Sequence, residues 1–441
     1  MMLSALFLTL LQQPRDTTAG RPCTVEVDSI GGNYREVAVG PREKNYFAGG
    51  GVLAHCQGTG SVLSADSVAF FAGVGRFDMI GQKNPVYIRD TAVTLDATTA
   101  SYFLRQERLE AHKNVVAVNR NNGSVLRGPN LTYYRAARGV RDTLEMYASG
   151  RPTIDYRSRA DSGEPYVIVA DRVRFKGNDR IWGGGKVTID RSDFAARGDS
   201  MHLDQGSGVG VLLGKPRLEG KGGRPYALTG TRIELALAQR ELRRVMALGN
   251  GVATGADWRL TADTIHLALD RRKLQQAFAW GSDSSAAKAV STLYTIDADS
   301  LALDLPDEVL TEARAFRHAF STSKRDSSSG AEVNWIAGDT LTAHWQQVAD
   351  SNGQTKSVLQ QLVARGAARS FTHLHDERDS TTGPSLNYSR GKKIDIALKA
   401  DRIDRVIVSG GADGVHLEPL PPRPPADSTP APDAAKQPPT R

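Results

Sequence analysis

Thr261-Ala262-Asp263-Thr264-Ile265-His266-Leu267-Ala268-Leu269 is the stretch from which the fold can be read. A small residue and an Asp precede a hydroxyl residue, and then apolar and other positions alternate strictly. That alternation places Ile265, Leu267 and Leu269 on one face of a strand and Thr264, His266 and Ala268 on the other. The same phrase recurs along the chain. It stands as Ser64-Ala65-Asp66-Ser67-Val68-Ala69-Phe70, Val169-Ala170-Asp171-Arg172-Val173-Arg174-Phe175 and Arg197-Gly198-Asp199-Ser200-Met201-His202-Leu203. It returns as Thr229-Gly230-Thr231-Arg232-Ile233-Glu234-Leu235, Asp297-Ala298-Asp299-Ser300-Leu301-Ala302-Leu303 and Ala337-Gly338-Asp339-Thr340-Leu341. Weaker copies occupy Arg127-Gly128-Pro129-Asn130-Leu131 and Lys399-Ala400-Asp401-Arg402-Ile403. Central positions 171, 199, 231, 263, 299 and 339 give steps of 28, 32, 32, 36 and 40. Repetition at this period implies stacked supersecondary units, none able to bury its apolar face alone.

A second phrase alternates with the first, a turn-forming residue followed by β-branched alternation. Gly51-Val52-Leu53, Asn114-Val115-Val116-Ala117-Val118, Gly185-Lys186-Val187-Thr188-Ile189 and Gly249-Asn250-Gly251-Val252-Ala253 are its copies. Helical patterning is nearly absent. Leu235 to Arg244 has helix-favouring residues, but its place in the repeat predicts strand, turn and strand through Val245-Met246-Ala247-Leu248. Forty-three glycines and Asp/Ser/Thr-rich corners suit many short strands joined by tight turns. Polar insertions at 324–331, 350–356 and 376–384 read as surface loops, and the Pro-rich segment 419–441 as an extended or disordered tail.

With 40% apolar residues the chain is too polar for a multi-span membrane protein. Its net charge of +7 is either an ordinary solvated surface or an attraction to anionic partners. No Lys/Arg block with interleaved aromatics occurs, which argues against nucleic acid. Residues 1–20 open with the apolar run Leu3-Ser4-Ala5-Leu6-Phe7-Leu8-Thr9-Leu10-Leu11, of signal-peptide length but without a positive flank. Export is the expectation, and an odd start site or a buried N-terminal strand is the alternative. Cys23 and Cys56 are the only cysteines; in an exported chain they invite a disulfide, and otherwise they are free thiols.

Several catalytic patterns fail on inspection. Gly206-Ser207-Gly208-Val209-Gly210-Val211-Leu212-Leu213-Gly214-Lys215-Pro216 resembles a phosphate loop, but Val209 replaces its first Gly and Pro216 its hydroxyl, so a glycine turn between strands is expected. His373 and His375 share one side of a strand without a third metal ligand, and read as a wet face. The repeated Asp66, Asp171, Asp199, Asp263 and Asp299 recur too regularly to be catalytic pairs; they read as turn caps bonding nearby backbone N–H groups. No cofactor, metal site or enzyme activity is expected.

The alternation of the Asp-Ser/Thr phrase with the Gly-x-Val phrase resembles the OstA-like family, which comprises the periplasmic lipopolysaccharide-transport protein LptA and the N-terminal domain of the translocon LptD. Ala262-Asp263-Thr264-Ile265 and Ala298-Asp299-Ser300-Leu301 match best; the likeness covers roughly residues 45–418, within a repeated β region expected over 21–418. The resemblance implies an all-β, elongated, open antiparallel β-jelly roll built from repeated strand pairs, in two or three stacked modules. It also implies a periplasmic carrier whose apolar groove shields lipopolysaccharide acyl chains, and edge strands that meet neighbouring OstA-like domains. The candidates to line such a groove, or a closed core, are Val68, Phe70, Val173, Phe175, Met201, Leu203, Ile233, Leu235, Leu237, Ile265, Leu267, Leu269, Leu301 and Leu303. A structural or adhesive β-solenoid with a closed core fits the same alternation, and a β-helical enzyme would need an acid/base cluster that is not seen.

Overall fold

A computed structural model describes residues 22–57, 59–157, 164–238, 241–323, 333–349, 355–374, 384–399 and 402–419. The three polar insertions, the leader and the Pro-rich tail fall wholly or largely outside these residues. Every regular element described is an antiparallel strand or a short 3₁₀ turn; there is no α-helix among the described residues. The chain divides into two compact units. One holds the described residues up to Thr292 together with Ala298–Ala313; the other holds Leu293–Asp297 with the described residues from Arg314 onward.

In the first unit long strands alternate with short ones, and each long strand belongs to two walls. Arg180–Asp190 shows the rule. Its residues 180–184 pair with Arg172–Lys176 on one side and with 200–204 on the other, forming wall A. After a register break, Thr188 to Asp190 pair with Val167 to Val169 and Val187 to Asp190 pair with 195–198, forming wall B. The chain then returns through Phe194–Asp204 from wall B to wall A. It descends Val209–Leu213 in wall A, turns a corner into Arg217–Gly220 and Tyr226–Thr229 in wall B, and regains wall A at Arg232–Ala238. Six strands thus make one module. The bends of successive modules, Gly50–Gly51, Lys113–Asn114, Gly185–Lys186 and Gly249–Asn250, are each two consecutive residues at positive φ. The structural repeat is therefore twice the sequence repeat.

Both sequence phrases mark the corners. The Asp phrase falls where the chain passes from wall B to wall A, in long strands at Asp66, Asp199 and Asp263 and between short strands at Asp171, Thr231 and Asp299. The Gly phrase falls where long strands pass from A to B. The residue before each Asp is small because it points into the vertex where the walls meet; Ala65, Ala170, Ala262 and Ala298 are all buried there.

The aspartates bear out the expectation of turn caps at Asp66 and correct it at Asp171 and Asp199. Asp66 does cap: its Oδ2 accepts from the backbone N–H groups of Gln82, Lys83 and Asn84 at 2.6, 2.5 and 2.9 Å. These bonds, Asn84 foremost, hold its carboxyl well below the usual carboxylate range. Asp171, Asp199 and Asp339 instead pack over a corner glycine of the adjacent strand. A Cβ on Gly185, Gly214 or Gly366 would meet the Asp Cβ at 2.8, 2.5 or 2.9 Å respectively. Asp171 N–H also donates to the Gly185 carbonyl at 2.8 Å, so the ladder survives the bend. Gly185 is thus required twice, by space and by φ +80. Gly185→Ala is expected to lower unfolding free energy by about 2 kcal/mol, read by urea denaturation; a loss under about 0.5 kcal/mol would show that the corner relaxes freely.

The second unit repeats the bent-strand scheme with Trp335–Ala349, Thr355–Leu374 and Ser385–Lys399, whose register breaks at Ala337/Thr340 and Arg365/Ala368. Arg402–Ser409 and Asp413–Leu417 close it, each pairing with one half of Ser385–Lys399. The Gly206–Pro216 segment is not one turn but a hairpin turn, the strand Val209–Leu213 and a corner at Gly214.

Candidate functional site

Among the described residues of the first unit, the passages between walls lie along one line of corners, and the connections at the opposite margin join strands of the same wall. The space between the walls is the candidate site. Period-two alternation sends one side chain in two into it, and the walls are pressed together there. Of the candidate lining residues, Val173, Met201, Leu203, Ile233, Leu235, Ile265, Leu267, Leu269, Leu301 and Leu303 are buried, while Val68, Phe70, Phe175 and Leu237 are half-buried. Ile168, Leu218, Leu228 and Leu260, which the sequence reading did not single out, are buried from the wall B side. Most of the expected lining is thus withdrawn from water, as burial of apolar faces favours.

What holds the free margin shut is polar. Cys23 and Cys56 are disulfide-bonded at the margin of wall B, with Cα atoms 4.9 Å apart. This places the Cys23 N–H against Glu107 of wall A, donating to Oε1 at 2.5 Å. The Glu107 side chain is fully buried, and its Oε2 accepts from Tyr102 Oη at 2.5 Å and Arg135 Nε at 2.9 Å. Nearby, Tyr133 Oη of wall A donates to Asp90 Oδ2 of wall B at 2.8 Å, while Ser61 Oγ donates to Oδ1 at 3.0 Å. Burial, with the adjacent carboxylate second, pushes the Tyr102 and Tyr133 hydroxyls far above the usual phenol range, so both remain donors. Further along, the Arg224 N–H of wall B donates to Glu308 Oε2 of wall A at 3.1 Å. Sequence reading missed this clasp because its residues belong to no repeat; Asp90, Glu107 and Arg135 stand at strand ends or turns, and Tyr102 and Tyr133 near the ends of strands.

Between these contacts the margin is apolar. Tyr156, Tyr166, Ile189 and Phe194 of wall B face Leu203, Leu237 and Leu242 of wall A around ≈ 40 Å³ of free space. Arg191 lies over the Tyr166 ring at 4.4 Å and donates to its hydroxyl at 2.7 Å.

The second unit differs inside. Leu341, Ala343, Leu362, Ala364, Ile394 and Ile396 form an apolar inner face on one half of its bent strands. On the other half Ser370, Thr372 and Ser389 are buried, and the Ser370 and Thr372 hydroxyls have no partner. His373 is buried rather than on a wet face, because Asn334 Oδ1 meets its Nδ1 at 2.8 Å and its backbone N–H at 2.7 Å. His375 lies outside the described residues.

No protein-family model matches the chain, and no curated protein matches it.

Proposed function

We propose that this chain is a non-enzymatic carrier of the OstA-like type, in which the two walls are the sides of an open β-jelly roll that shields lipopolysaccharide acyl chains on their way through the periplasm. The observation that carries this reading is the single line of corners. Walls joined along one side only can part at the other without breaking any strand pairing. A closed solenoid or barrel has no such margin, which favours the carrier over the adhesive β-solenoid.

The energetics suit passage rather than storage. Each CH₂ kept from water contributes about 0.8 kcal/mol, so acyl chains strongly prefer the interior to solvent. An entering chain replaces wall-to-wall apolar contact with wall-to-chain contact, a near-balanced exchange that leaves no deep trap. Nothing in the described residues is a motor, and flow in one direction needs an energy source elsewhere, as the resemblance implies.

The ends support a role in a bridge. Val25–Ile30 and Tyr34–Gly40 pair only with Glu43–Cys56 among the described residues; Arg402–Ser409 and Asp413–Leu417 pair only with Ser385–Lys399. Each pair is one bent strand with its outer edge open, one bent at Gly31–Gly32 and the other at Gly410–Gly411. The first runs opposite to the long strands with positive-φ bends, and the second runs with them. Their open edges are therefore complementary for antiparallel augmentation by neighbouring OstA-like domains.

Replacing Phe175 by benzoylphenylalanine keeps an aromatic at a half-buried position. Irradiation in cells making lipopolysaccharide is expected to give a lipopolysaccharide-linked band. Its absence, when the same photoreactive residue in an established conduit protein captures lipid in parallel, would count decisively against the carrier.

A further inference from the structure

Tyr156 ends the wall B strand Thr153–Tyr156 at the free margin of the first unit. Its side chain is 5% exposed, and its hydroxyl has no hydrogen-bond partner. A buried donor without a partner calls for an acceptor, and at a margin lined by apolar side chains a ligand can bring one. The ring lies 6.4 Å from Tyr166, which lies 5.9 Å from Phe194. Across the gap stand Leu203, Leu237 and Leu242, and Leu212 lies deeper. Besides His202 and the two tyrosine hydroxyls the lining is aliphatic and aromatic, with no acidic or basic side chain of fixed charge in it, so a charged headgroup is not favoured there. A bare hydrocarbon fits the walls but leaves the phenol unmet.

We propose that the margin between Tyr156, Phe194, Leu237 and Leu242 is a lateral binding site for one long acyl chain joined through an ester or amide, with the Tyr156 hydroxyl donating to the carbonyl oxygen of that linkage. The inference rests on the carrier reading and gives it a point of entry. The geometry assigns the parts of the ligand. Tyr156 is at the rim, so the carbonyl stops there, the headgroup stays in water, and the chain points inward past Leu203 and Leu212. The ≈ 40 Å³ now free is of the order of one or two waters. The site therefore opens with its ligand, by outward movement of Leu237, which is only half-buried.

The test uses the full chain in detergent with two probes, methyl palmitate and hexadecane, each bearing a diazirine. Photolysis and peptide mapping are expected to place both on 194–203 and 235–242. Tyr156→Phe is expected to reduce labelling by the ester about fivefold, to leave labelling by the alkane unchanged, and to raise the melting temperature of the free protein because the unmet hydroxyl is gone. Equal labelling by the ester in both proteins overturns the proposal, as does a lower melting temperature for Tyr156→Phe. If the Phe175 replacement still captures lipopolysaccharide in that case, the site is wrong and the carrier stands. If neither probe labels any peptide and Phe175 captures nothing, both readings fall.

Discussion

Arg135→Met is expected to lower the unfolding free energy by about 3–5 kcal/mol, more than any surface substitution on the chain. Glu107 is fully buried and Arg135 nearly so. Removing the guanidinium leaves a carboxylate in a dry site, held only by the Cys23 N–H and the Tyr102 hydroxyl. The penalty comes from desolvation that nothing then offsets, not from the Coulomb energy of the pair itself. Exposed pairs such as Arg390–Asp413 and Arg197–Glu219 are a useful contrast. Water already solvates their charges, and each is worth about 0–1 kcal/mol. Replacing both members of the buried pair, as Glu107→Gln with Arg135→Met, is expected to recover much of the loss, because no lone charge remains. Urea denaturation of the two single variants and the double variant measures the coupling. A loss below about 1 kcal/mol for Arg135→Met would mean that water reaches Glu107 and the margin is not shut.

The contrast between that clasp and the interior shows which parts of the architecture are legible in sequence. Alternation in Ile265-His266-Leu267-Ala268-Leu269 fixes the inward face at once, because parity is a local property; all three apolar residues are buried. The repeated Asp and Gly announce corners for the same reason, since a vertex tolerates only small residues and a double positive-φ bend favours Gly or Asn. What the aspartates touch is not local. Asp171 meets Gly185 only after two strands have paired, so the sequence suggests a cap and tertiary packing supplies a lid over glycine. The six-strand module is hidden for a related reason. Corners in long strands and corners between short ones use the same phrase, and one period in sequence is half a period in space. The clasp is least visible. Glu107, Asp90 and Arg135 stand at turns and Tyr133 near the end of a strand, and no spacing rule joins them. Whether the trough is open or filled is likewise unwritten in the alternation, since an apolar face serves a ligand or the opposite wall equally well.

Loss of the Cys23–Cys56 bridge is expected to cost about 3–4 kcal/mol in the first unit, the chain-entropy value for a 33-residue closure. The bridge does more than shorten the unfolded chain. It pins the start of the edge strand Val25–Ile30, and it sets the Cys23 backbone N–H on Glu107, one of three hydrogen bonds that satisfy that carboxylate. Cys23→Ser with Cys56→Ser therefore removes a cross-wall bond together with the covalent tie. Its effect is expected to fall short of additivity with that of Arg135→Met, because both leave the same carboxylate short of donors. Thermal melts with and without reductant should show the first transition moving down on reduction. Hydrogen exchange should quicken first at 23–30 and 107–110, before the Ile265 to Leu269 strand is affected. If the bridge acted only on the unfolded chain, melting would fall while native-state exchange at Glu107 stayed unchanged, and the disulfide would be a staple of the chain with no part in holding the margin. A melt indifferent to reductant would remove both roles, and with them the reason the N-terminal edge stays ordered for a neighbour to pair with.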